Sequence, residues 1–96
     1  MDISATHKAA YQDAKQGLKM QQQGGVETAL MALAQATVLQ AEGHQVSDSD
    51  WTFMHRSAKD QIGGALKAVR TDYTDSQLDA FISTYLSHFK DEGKAK

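Results

Sequence analysis

The side chains of this chain best suited to proton transfer or metal binding are its four histidines, His7, His44, His55 and His88. No two of them stand three or four residues apart, the spacing that places a pair of metal ligands on one helix face. His55 follows Trp51 by one turn on an apolar stripe. That position fits an imidazole at the edge of a core, with one nitrogen bonded and the other in water. A catalytic base would need a nucleophile beside it, and the spacing supplies none. His44 precedes Asp48 and Asp50, but the D-x-D fragment lacks the glycine and closing glutamate of a calcium loop. His88 falls near a helix C-terminus, where the dipole favours an imidazolium. Asp75 and Asp79 are one turn apart, yet they belong to an exposed helix start, and a carboxyl general acid needs burial to raise its pKa. There is no phosphate loop, nucleophile elbow or zincin motif. With no cysteine in the chain, thiol catalysis, disulfides and thiolate metal sites are excluded. The expectation is a non-enzymatic protein with no cofactor and no metal.

The remaining candidate chemistry is electrostatic. Arg56, Lys59, Lys67 and Arg70 share the outer side of one predicted helix, with Gly63 in their midst and only Asp60 countering them. Residues 51–70 thus carry +3, which leaves −5 for the rest of a chain whose net charge is −2. A basic helix face can follow phosphates or meet an acidic protein surface; it can also be an ordinary solvated face. The interleaved aromatics that stack on bases are missing from this stripe. Phe53 lies off the apolar stripe, on the side of Ser57 and Gly64. An aromatic placed there suggests either a second contact surface or packing against the first helix.

Four helical segments must position these residues, near 4–22, 26–42, 48–70 and 75–90. In the first, Ile3, His7, Ala10, Tyr11, Ala14 and Leu18 recur at helical spacing, with Lys8, Lys15 and Lys19 opposite. It is expected to stop at Gly24-Gly25, a pair that suits a C-cap and a new start. The second is the architectural centre, an Ala/Leu-rich run with no charge between Glu27 and Glu42. Val26, Leu30, Leu33 and Thr37 form its inner side, flanked by Ala29 and Ala36 and widened by Ala32 and Leu39; Met31 and Val38 fall on the side of Glu27, Gln35 and Glu42. A helix apolar over most of its circumference is normally buried, and this one is too short and too polar to span a membrane.

The third and fourth helices open on the same signature. Ser47 stands as N-cap with Asp50 at N3 and Val46–Trp51 as a hydrophobic staple; Thr74 stands as N-cap with Gln77 at N3 and Tyr73–Leu78 as the staple. Acidic residues in both first turns complement the helix dipole. The third stripe reads Trp51, Met54, His55, Ala58, Ile62, Ala65, Leu66 and Val69, interrupted by Gly63-Gly64. Each glycine costs about 1 kcal/mol relative to alanine there, so the pair marks a hinge or a close contact. The fourth reads Leu78, Phe81, Ile82, Tyr85, Leu86 and Phe89, before a frayed tail at 91–96. No useful strand alternation occurs. The fold class predicted is all-α, a single domain over 1–96 forming a small bundle of four antiparallel helices.

From Gly17 to Ala36 the spacing of Gly17, Gly24, Ala29, Leu33 and Ala36 resembles a tetratricopeptide repeat. Asp13, Gln16 and Met20 depart from it where that family places large apolar residues, no proline closes the unit, and no second copy follows. An ordinary helical hairpin is expected instead. The first residues carry no basic stretch followed by an apolar run, so a soluble cytoplasmic protein is expected. The net charge gives no general attraction to nucleic acid or membrane. The function expected is a small regulatory or inhibitory protein of the bacterial or phage accessory type, binding a protein partner with an acidic surface. Arg56, Lys59, Lys67 and Arg70 would make the contact, with Phe53 as apolar anchor. The alternatives are a nucleic-acid binder using the basic face and a self-associating subunit, such as a homodimer.

Overall fold

The computed structural model describes residues 3–15 and 24–94, the last four by their backbone. It is an all-α four-helix bundle of α1 (Ser4–Ala14), α2 (Gly24–Ala41), α3 (Asp48–Ala68) and α4 (Asp75–Lys94). The expected continuation of α1 over 16–22, and with it Gly17 of the repeat-like spacing, lies outside the described residues. Three boundaries differ from the sequence reading by two residues or more. Gly24 and Gly25 form the first turn of α2 rather than a turn between helices. A Cβ on Gly25 would sit 2.7 Å from Oε1 of the exposed Gln61 side chain, a flexible end that can turn aside. The second difference is at the far end, where α4 continues through Asp91 and Glu92 to Lys94; nothing before Gly93 opposes helix there.

The caps act as their residue types require. Ser47 Oγ accepts the Asp50 N–H at 3.1 Å. Thr74 and Gln77 form a complete capping box: the Gln77 N–H donates to Thr74 Oγ1 at 3.2 Å, and the Thr74 N–H donates to Gln77 Oε1 at 2.7 Å. Each orphan donor at the start of α4 that this box satisfies would otherwise depend on water. Trp51 and Tyr73 of the two staples are half-buried against the core.

Both α2 and α3 end in a Schellman motif. After α2, Gly43 adopts φ +95° while the His44 N–H donates to Leu39 O and the Gly43 N–H to Gln40 O. After α3 the same two bonds run from Thr71 to Leu66 and from Arg70 to Lys67, but the left-handed residue is Arg70, at φ +55°. The helix expected to reach 70 therefore stops at Ala68, and Arg70 turns out of line with it. An L side chain in this conformation is strained by about 1–2 kcal/mol, and glycine is the usual occupant.

The core joins all four helices. α4 packs against α1, α2 and α3, whereas α2 packs mainly against α3 and α4; the centre is therefore shared by α2 and α4. Because α2 faces two helices, its buried arc includes Ala34 and Val38 as well as Val26, Leu30, Leu33, Ala36 and Thr37. Val38 is thus inside, not beside Gln35, while Leu39 is 44 % exposed. A helix apolar nearly all round carries little phase information, and its neighbours decide which residues face inward. Thr37 is buried without loss, its hydroxyl donating to Leu33 O at 2.9 Å.

Two stability changes follow from this packing. Leu33, fully buried, leaves a cavity when cut back, so Leu33→Ala should lower the free energy of urea unfolding by about 2–5 kcal/mol. Arg70→Gly should raise it by roughly 1 kcal/mol by relieving the left-handed strain; unchanged stability there would show that the chain bears no strain at this turn.

Candidate interaction site

The four basic residues of the outer α3 face are not one patch. Lys59 Nζ lies 2.7 Å from Asp75 Oδ1 and 3.1 Å from Asp79 Oδ1. The two carboxylates at the start of α4 thus clamp the ammonium, and their hydrogen bonds raise its pKa above the ordinary lysine value. Lys59 is half-buried between them and is occupied in holding α3 to α4. Asp75 and Asp79 sit one turn apart because both must reach it, a pairing across helices that sequence spacing does not disclose.

A second element divides the face. Gly63 is buried, and a Cβ there would lie 3.1 Å from Tyr73 Oη. The phenol of Tyr73 therefore crosses α3 at Gly63, in the middle of the basic row. On one side, Arg56 and Lys59 border a cleft of about 490 Å³ with Trp51, Thr52, His55, Asp60 and Asp75. On the other, Lys67 and Arg70 border a separate hollow with Thr71, Asp72 and Tyr73. Arg56, Lys67 and Arg70 are exposed, but Arg56 shares its cleft with Asp60 and Asp75, and Lys67 and Arg70 share theirs with Asp72. Of the alternatives posed by Gly63-Gly64, the close contact is realised at Gly63, and α3 runs through both glycines unbroken.

Among the described residues, Phe53 borders α2 and not α1. It is 73 % exposed, at the mouth of a groove between α2 and α3. The groove has a volume of about 430 Å³ and is lined by Gly24, Gly25, Thr28, Ala29 and Ala32 of α2 with Phe53, Met54, Ser57 and Gln61 of α3. None of these residues is charged. Gly64, on the same side of α3 as Phe53, is exposed and has nothing within 4 Å of where its Cβ would be.

The histidines are placed differently from the sequence reading. His55 is half-buried at the cleft. His88 does not cap its own helix; its Nε2 lies 3.0 Å from Asp13 Oδ2 of α1. His44, Asp48 and Asp50 border one shallow hollow, but among the described residues no three His, Cys, Asp or Glu side chains converge as metal ligands. His7, read only as a member of the α1 stripe, proves to be the centre of a buried polar network. Its Nδ1 is 2.7 Å from Tyr85 Oη of α4 and its Nε2 is 3.2 Å from Glu27 Oε1 of α2. An ionised carboxylate only accepts, so in the neutral ring Nε2–H donates to Glu27 and the Tyr85 hydroxyl donates to Nδ1. The signal for this was present: an imidazole in the middle of an apolar stripe needs partners for both nitrogens. Although the order carboxylate, imidazole, hydroxyl suits proton transfer, Tyr85 is 0 % exposed, so the hydroxyl meets no substrate and the network fastens three helices together.

Two tyrosines feel this environment. Burial, and then the negative charge of Glu27, raise the pKa of both Tyr85 and Tyr11 above the ordinary 10.0. Tyr11 Oη, also buried, has no hydrogen-bond partner among the described residues. Compared with known proteins, the chain matches no family model, no curated protein and no solved structure. Among the described residues no helix is long and apolar enough to cross a membrane.

Removing the two hydroxyls should have opposite consequences. Tyr85→Phe leaves His7 Nδ1 buried and unpaired and should cost about 1–3 kcal/mol; Tyr11→Phe removes an unsatisfied oxygen and should be neutral or stabilising. Because folding raises both pKa values, their contribution is complete below pH 10 and is lost as the pH climbs through the folded-state values. Urea unfolding at pH 9 and pH 11 should show this decline, and Tyr85→Phe should flatten it.

Proposed function

We propose that this protein acts without catalysis, as a small regulatory or inhibitory factor of the cytoplasm that binds another protein chain. The observation that supports this reading is Phe53: a phenylalanine 73 % exposed at the mouth of an uncharged groove. Burying an aromatic ring is among the largest single contributions to association, whereas leaving it in water gives a monomer nothing. Arg56, one turn along α3, supplies charge at the rim, where it orients an acidic surface more than it sets affinity. Lys59 falls out of the contact set because Asp75 and Asp79 already hold it. Lys67 and Arg70, beyond Tyr73, form a secondary rim.

The same facts weigh against the nucleic-acid alternative. With Lys59 neutralised, three basic groups remain of the four, and they are split by Tyr73. Full engagement of three phosphates on duplex DNA would give a log K against log salt slope of only about −2.7.

The reading is tested by using the protein as bait for its host's proteins, with Phe53→Ala in parallel. A partner retained by the native chain should be lost from Phe53→Ala at about tenfold or greater weakening. Random duplex DNA should bind neither form appreciably at physiological salt. Equal capture by the two baits, or tight DNA binding with a steep salt slope, would remove the proposal.

A further inference from the structure

We infer that the chain seated on the Phe53 face is a second copy of this protein, packed antiparallel along α3 about a two-fold axis at the level between Ala58 and Lys59. The inference rests on the protein-binding reading above and names its partner. Its first support is Gly64. Glycine in a helix interior is unfavourable, and in one copy Gly64 has no evident use: its missing Cβ would meet open space. Gly63 beside it is used, by Tyr73. An exposed position kept free of a side chain fits a group arriving from outside. Phe53 is the group available, on the same side of α3 and eleven residues away, close to three full turns.

Symmetry gives the second support. In an isologous contact residue i of one copy meets residue j of the other, and j meets i. Antiparallel α3 helices crossing at the level between Ala58 and Lys59 place each Phe53 against Gly64 of the other copy, beside the Gly25–Gln61 end of the groove. The same crossing, to within half a residue, brings Arg56 beside Asp60 of the other copy twice over. Within one copy neither residue joins an ion pair among the described residues, and a basic residue four positions before an acidic one is the less favourable order on a helix. Across the axis they are complementary.

The third support is the neighbouring α2 surface. Thr28, Ala29, Ala32 and Gln35 continue the face without a charge, so two identical copies approach with no like-charge repulsion. A heterologous partner sets no such requirement, because its own surface can supply the opposite sign.

The test is sedimentation equilibrium of the full chain from about 1 µM to about 1 mM, the range in which a contact of this kind dissociates, with folding followed by circular dichroism. Phe53→Ala should weaken the dimer about tenfold or more. Gly64→Leu should do the same while leaving helicity and Tm unchanged or raised, since the monomer has room for the side chain. Arg56→Asp and Asp60→Arg should each weaken dimerisation, and the double swap should restore it. A protein monomeric at 1 mM overturns the inference, as does a dimer indifferent to Phe53→Ala and Gly64→Leu or a double swap that fails to restore association. If the chain is monomeric but Phe53→Ala still loses a captured protein, only this inference falls. If it is monomeric and the capture is unchanged, the protein-binding reading falls with it.

Discussion

Tyr85 can lie at the centre of the bundle because His7 accepts its hydroxyl, and His7 can be buried because Glu27 takes the other ring nitrogen. A phenol or an imidazole desolvated without a partner would each cost on the order of a few kcal/mol, so neither burial stands alone. This network joins α1, α2 and α4. α1 depends on it most, since beyond Ile3, Ala10 and Tyr11 it buries little apolar surface. The second tie between α1 and α4 is also made by a histidine and a carboxylate, His88 and Asp13. The helix with the smallest apolar share is thus held by polar contacts, and the aromatic packing of Tyr85 on Phe89 and of Tyr11 on Phe81 closes around them.

The α3–α4 hairpin is organised by a different compromise. Its outer surface must carry enough charge to stay solvated, yet its two helices must also be fixed relative to one another. Lys59 serves the second need at the expense of the first, since a cation clamped by Asp75 and Asp79 adds no field at a distance. Tyr73 does likewise, filling the space over Gly63. What is left outside, Arg56, Asp60, Lys67 and Arg70, is a mixed-charge rim. That outcome is why the proposed contact is centred on the uncharged side of α3 and α2 and not on the basic row.

Those elements were legible where local physics decides. Ser47 and Thr74 were readable as caps because a hydroxyl at that position satisfies a donor whatever the rest of the chain does. The stripes of α3 and α4 were readable because their apolar residues recur with a clear phase. The phase of α2 was not: with nearly every position apolar, Val38 and Leu39 are interchangeable on paper, and only the placement of α3 and α4 separates them. The partners of His7, Lys59 and His88 were hidden for one common reason. Each lies on another helix, and charge or hydrogen-bond pairing across helices leaves no spacing signature in the chain. The basic residues of α3 recur at helical spacing in the chain, but the pairing of Lys59 with α4 and the division of the row by Tyr73 are tertiary facts.

α3 therefore presents two adjacent glycines with the same intrinsic penalty and different compensation. At Gly63 the loss of helix propensity is offset inside the molecule by the close seating of Tyr73. At Gly64 nothing lies within 4 Å of the missing Cβ, and three turns away Phe53 is 73 % exposed. A single exposed aromatic is ordinary on protein surfaces, and so is a single helical glycine. What the two share is one side of one helix, at a separation that a two-fold rotation would bring into register as a projection and a gap; on this the inferred dimer rests. The uncharged surface of α2 beside them extends that relation from a pair of residues to a face. The interior of the bundle accounts for α1, α4 and the inner halves of α2 and α3; the uncharged outer faces of α2 and α3 are where the inferred second copy would lie.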